Sequence, residues 1–141
     1  MADRKAIDLL SFASTVFPGD KGPLNIATQR LLETGVEFAV NARRCFEVDG
    51  AKQAISARRW EYQLDNSLKV ESDLWRALNG IIHARRLDVH FADSPQRIFH
   101  QSTNVVALHF VYETDRYPET YVDVFGMAWA YLTFGNFAWQ Y

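Results

Sequence analysis

Apolar residues recur at a helical spacing over residues 1–83 and at a two-residue spacing over much of 84–126, ahead of an aromatic segment at 127–141. Between residues 3 and 17, Ala6, Leu9, Leu10, Ala13, Val16 and Phe17 follow the i, i+3, i+4, i+7 rule, with Asp3 as N-cap, and predict a first helix. The run 18–23 contains two prolines and two glycines and breaks it; Pro23 suits the first turn of the next helix. Over 24–46 the stripe Thr28, Leu31, Leu32, Gly35, Phe38, Ala39, Ala42, Cys45 and Phe46 predicts the longest helix of the chain. Gly35 lies inside that stripe, where it costs roughly 1 kcal/mol of helix propensity, which points to a close approach by another helix. Asp49-Gly50 closes the element, and 51–64 reads as a third, less periodic helix carrying Ile55, Trp60, Tyr62 and Leu64.

Asp65-Asn66-Ser67 offers a break and a new N-cap for a fourth helix over 67–83. Steps of about 100° per residue gather Val70, Leu74, Trp75, Ala77, Leu78, Ile81 and Ile82 on one half and Lys69, Ser72, Asp73, Arg76, Gly80 and His83 on the other. Glu71 falls inside the apolar half. An unpaired buried charge costs several kcal/mol, roughly, so the expectation is a structural ion pair with Arg43, Arg44, Arg58 or Arg59, or a partly exposed edge position.

After Ala84 the period becomes two. Leu87, Val89 and Phe91 alternate with Arg86, Asp88 and His90 as in a half-buried strand, whereas 104–114 is apolar at both parities and predicts a central strand covered on both faces. A further strand over 120–125 follows the hairpin loop 114–119, and a short strand is expected around 97–100. Nearly every position from 127 to 134 is apolar; a short helix is the reading, with a hairpin at Gly135-Asn136 as the alternative. The expected fold is therefore one α+β domain: four N-terminal helices packed on a small antiparallel sheet, closed by a short C-terminal helix or hairpin.

With 141 residues the chain is the size of one domain with its own core. A net charge of −2 gives no overall attraction for nucleic acid or anionic membrane, and no run of about 18 apolar residues suits a membrane span. Cys45 is the one cysteine, which excludes an internal disulfide and a multi-cysteine zinc site; together with the lack of a secretory signal it points to the cytoplasm. The 14% aromatic content is high. Trp129, Tyr131, Phe134, Phe137, Trp139 and Tyr141 concentrate that excess at the end of the chain, and aromatics are favoured at interface cores. They are the expected partner-binding residues of a protein-interaction module that associates with itself, as a homodimer, or with another protein.

Arg76 and His83 are seven residues apart, close to two helical turns, so a guanidinium and an imidazole share one polar side, with Asn79 about 60° away. The pair resembles the R-x(4-6)-H motif of HEPN proteins, helical domains that include metal-independent endoribonucleases, although Ala77 stands where that family usually has a polar residue. The resemblance covers this helix. It implies an alternative function, RNA cleavage across a homodimer, in which Arg76 stabilises the charged phosphorane, His83 acts as general acid or base and Asn79 positions a phosphate oxygen. The order of helices followed by a sheet also resembles small uncharacterised bacterial or phage proteins, a likeness that implies no activity. His83, His90, His100 and His109 show no ligand spacing of the H-E-x-x-H kind, so neither metal nor cofactor is expected; His90 and His109 meet only if their strands pair in the right register and face the same way.

Overall fold

The computed structural model describes residues 2–49 and 53–139. Within them the order is α1 (Ala2–Ala13), β1 (Phe17–Pro18), α2 (Lys21–Asp49), β2 (Lys69–Val70), α3 (Leu74–Ile82), β3 (Arg86–Asp93), β4 (Asn104–Glu113), β5 (Thr120–Asp123) and α4 (Val124–Trp139). The mixed α+β class is as expected, but three helices rather than four precede β3, and the fourth ends the described chain.

In α1, Ala2, Ala6, Leu9 and Ala13 are buried at helical spacing. The helix stops four residues short of Phe17. The Ser11 and Thr15 hydroxyls turn back onto the carbonyls of Ile7 and Ser11, and Phe17 leaves to pair with Val105 in the sheet. The longest helix, α2, has 29 residues and buries Ala27, Leu31, Phe38, Ala39, Ala42 and Phe46. Gly35 does mark a close approach, but to the sheet and not to a helix: a Cβ there would lie 2.5 Å from Cζ of Phe110 on β4.

The helix expected over 51–64 is absent from the described residues 53–64, which run irregularly with one bridge between Ala54 and Asp73. Ile55, Trp60 and Tyr62 cannot share one helical face. In an open chain, Trp60 and Tyr62, two residues apart, both reach the sheet face away from the helices, where Trp60 packs with Val16, Val106 and Leu108 and donates from Nε1 to the Ala13 carbonyl at 3.0 Å.

α3 begins at Leu74, not at 67, because Asp73 (φ −108°, ψ 121°) caps it, accepting from the Trp75 amide at 3.0 Å. The residues before it are extended, and β2 lies parallel to β5, so the sheet is not wholly antiparallel. This corrects the reading of Glu71. It occupies no helical face; its amide donates to the Tyr121 carbonyl at 2.8 Å and its carboxylate accepts from the Asp73 amide at 3.3 Å. Among the described residues no arginine or lysine forms an ion pair with it. It is partly exposed, as the second expectation had it, and has no need of one.

The sheet is organised around β4. Val105 pairs with both Phe17 and Asp93, and His109 with both His90 and Asp123, so β3 runs along one edge of β4 while β1 and β5 share the other. Between β3 and β4 the partner of Phe91 is Ala107 and that of His90 is His109, which leaves Leu108 as an extra residue. This bulge changes the parity of β4. Beyond it Phe110 and Tyr112 face the helices, while Leu108 and His109 share the opposite face. The expected short strand around 97–100 does not form; Asn104 holds that loop, accepting from the amides of Ile98 and Phe99. Strand β5 ends at Asp123, two residues early, because its carboxylate accepts from the Gly126 amide at 2.7 Å and starts α4. The segment 127–134 is therefore helix and not hairpin. One core cluster joins all four helices to β4 and β5, and among the described residues no helix is long and apolar enough to cross a membrane.

Candidate functional site

Arg76, Asn79 and His83 do come together. Although α3 ends at Ile82 and His83 is its C-cap, all three line one cleft of about 490 Å³ between α3 and the β4–β5 hairpin loop. The Arg76 side chain is 68% exposed, with Asp73 at a loose 3.8 Å, and His83 is exposed. Asn79 is partly engaged: its Nδ2 donates to the Trp75 carbonyl at 2.9 Å, which ties one of the amide hydrogens expected to reach a phosphate into the helix backbone. Gly80, expected on the polar side, is buried because the Tyr112 ring fills the place of a side chain.

The far wall adds Thr114, Asp115, Arg116 and Tyr117. Along the sequence Arg116 stands among Glu113, Asp115 and Glu119, and nothing in that setting points to α3. The β3–β4 ladder brings it there: Arg86, four residues past the end of α3, pairs with Glu113, and the Arg85 amide donates to the Glu113 carbonyl, so the hairpin loop stands beside the C-terminal end of the helix. Arg85 takes up Asp115 at 2.9 Å, the one carboxylate lining the cleft. Two arginines and an imidazole thus share a cleft with two aromatic walls, Trp75 and Tyr117, and Lys69 lies 4.2 Å from the Tyr117 ring centre. Guanidinium groups suit phosphate and carboxylate oxygens, and flat rings suit a stacked base.

A second cluster lies on the sheet face away from the helices. The register places His90 opposite His109, with Nδ1 atoms 3.1 Å apart. Ring centres 5.3 Å apart and planes at 14° mean that the nitrogens meet end-on, one donating and the other accepting. His109 Nε2 is buried without a partner. A bare lone pair is tolerated there better than an orphaned N–H, so His109 carries its proton on Nδ1, and His90, accepting it, carries its own on Nε2. Burial, then the nearness of His90, pushes His109 down to about 4, and burial lowers His90 as well. Both imidazoles are neutral at pH 7. The Tyr121 ring stands nearly perpendicular to both imidazoles, and the Tyr62 ring perpendicular to His109 while its hydroxyl donates to Asp123. Burial raises the Asp123 carboxyl, opposed by the hydrogen bonds from Tyr62 and Gly126. Among the described residues no three His, Cys, Asp or Glu side chains are placed to hold a metal ion.

The aromatic C-terminal residues separate. Tyr131 is 6% exposed, edge-on to Phe38 and Phe46 and within 3.6 Å of Cys45 Sγ, and so belongs to the chain's own core rather than to a docking surface. Burying this ring next to α2 takes up part of the apolar surface concentrated at the end of the sequence. Phe134 is half-buried against Phe46 at 5.0 Å. Trp129 remains 49% exposed, stacked on Phe125 at 5.9 Å. The side chains of Phe137 and Trp139, and the whole of Tyr141, lie outside the described residues. Compared with family models, curated proteins and solved structures, the chain finds no match among any of the three.

Proposed function

We propose that the chain is a self-associating interaction module that recognises an anionic group, a phosphate above all, in the cleft between α3 and the β4–β5 loop. The observation that carries this reading is the delivery of Arg116 to the cleft already lined by Arg76 and His83, while Asp115 is neutralised by Arg85. Charge-assisted contacts to an anion contribute about 1.5–3 kcal/mol each, so removing either arginine weakens binding by roughly tenfold or more. Titration of a short fluorescent oligoribonucleotide, with inorganic phosphate as competitor, tests it. Arg76→Ala and Arg116→Ala each weaken binding while leaving thermal stability unchanged; equal affinity in wild type and the double variant refutes it. Self-association is supported by the exposed Trp129–Phe125 stack and by the open sheet edge treated below.

The second reading is metal-independent RNA cleavage in the same cleft. It is favoured by the shared exposure of Arg76 and His83 on one wall, the arrangement that the HEPN resemblance implies. RNA cut in EDTA by wild type but not by a folded His83→Ala variant selects this reading; intact RNA with tight binding selects recognition alone.

A further inference from the structure

β3 has one free edge. Among the described residues its eight positions pair with β4 alone. The Ser94 amide bonds back to the Asn104 carbonyl, so the even-numbered residues of this strand turn their backbone groups toward β4 and Leu87, Val89 and Phe91 turn theirs outward. The outward Val89 amide is held by the carboxylate of Asp88 at 2.8 Å. A long, partly apolar edge of this kind is a template for another strand.

The occupant that fits is a second copy of this chain, and the register is legible. Opposite residues in an antiparallel pair share a face, so helix-side Leu87, Val89 and Phe91 must meet one another and outer-face Asp88 and His90 must meet one another. Centring on Asp88 sets two carboxylates face to face. Centring on His90 sets Leu87 against Asp93. Centring on Val89 puts Val89 against Val89, Leu87 against Phe91 twice, and Asp88 against His90 twice. We propose that two copies join edge to edge in this last register, continuing one sheet across a two-fold axis at Val89.

The paired histidines make the fit chemically complete. His90 receives the His109 proton at Nδ1 and therefore presents an N–H on Nε2. Asp88, which shields the Val89 amide in the single chain, is released when that amide bonds to the Val89 carbonyl of the second copy, and its carboxylate accepts from His90 of that copy. Each group that loses a partner receives another. This surface rests on the self-association in the proposed function, and names where it occurs.

The test measures mass in solution by light scattering from about 1 to 200 μM together with amide hydrogen exchange. The expected result is a dimer in which the amides of Leu87, Val89 and Phe91 become protected as concentration rises. A hydrogen bond to a charged group contributes about 1.5–3 kcal/mol, and Asp88→Lys removes two such bonds and sets an ammonium against each His90 N–H, so self-association weakens about tenfold or more. The double variant Asp88→Lys with His90→Asp sets an ammonium opposite a carboxylate at the same two positions and recovers it. A chain that stays monomeric to 200 μM overturns both this surface and self-association. A dimer whose Leu87, Val89 and Phe91 amides remain unprotected overturns the β3 edge alone, and one abolished by Trp129→Ser but indifferent to Asp88→Lys does the same.

Discussion

Gly35→Ala sets helix propensity directly against packing. Alanine in place of glycine inside a helix contributes about 1 kcal/mol of stability when the site is open. At Gly35 the new Cβ would sit 2.5 Å from Cζ of Phe110 and 3.0 and 3.1 Å from the two adjacent ring carbons. Carbon atoms rest at about 3.5–4.0 Å, so the ring must retreat by roughly 1 Å. Phe110 is wholly buried on the central strand, paired with Val89 on one side and Val122 on the other, so the ring cannot swing out to solvent. Overpacking costs about 1–3 kcal/mol, and so close an approach to a buried ring belongs at about 2–3, which exceeds the propensity gain of about 1 kcal/mol and leaves Gly35→Ala destabilised by about 1–2 kcal/mol. Urea unfolding followed by Trp fluorescence reads this as a lower midpoint with an unchanged slope. In a Phe110→Leu background the ring edge is gone, and the same change becomes neutral or stabilising, giving a coupling of at least about 1 kcal/mol between the two sites. A Gly35→Ala variant more stable than wild type, or one equally destabilised in both backgrounds, refutes the packing account.

Three further outcomes follow from single contacts. Because His109 is held down to about 4, acidification from about pH 6.5 toward 4 protonates the unfolded chain before the folded one, so its contribution, fully present above pH 6.5, declines by up to about 3 kcal/mol. Asp123, whose carboxyl is raised by burial, acts in the opposite sense, stabilising the folded state on acidification, so the stability difference between wild type and His109→Asn is the quantity to follow; a difference independent of pH between 7 and 4.5 contradicts the burial of a neutral imidazole. Tyr131→Ala should cost about 3–5 kcal/mol in chemical denaturation, as for other buried rings, and Tyr131→Phe under about 1; if the alanine variant loses only self-association, Tyr131 is an interface residue after all. Asp73→Ala removes the cap of α3 and should cost about 1 kcal/mol by thermal unfolding, with no effect above the scatter counting against the capping geometry.

Periodicity alone located α2, β3 and β4, because each buries one face or two against the rest of the chain and its side chains carry that pattern, and turn-forming residues located the 114–119 loop. It also placed Arg76 and His83 on one side of α3, since local helical geometry suffices for residues two turns apart. Where a segment's partners are distant, the pattern misled. Residues 69–70 read as helix until β5 offered them a strand to join, and the Trp60–Tyr62 stretch read as helix although its apolar groups cover the back of the sheet. Glu71 therefore required no arginine, and Tyr131 found its neighbours on α2 rather than on another molecule. The arrival of Arg116 beside Arg76, the end-on meeting of His90 and His109, and the open edge of β3 all depend on strand register and on the bulge at Leu108. Register is a property of two segments at once, and one residue of slip would send every one of these side chains to the other face.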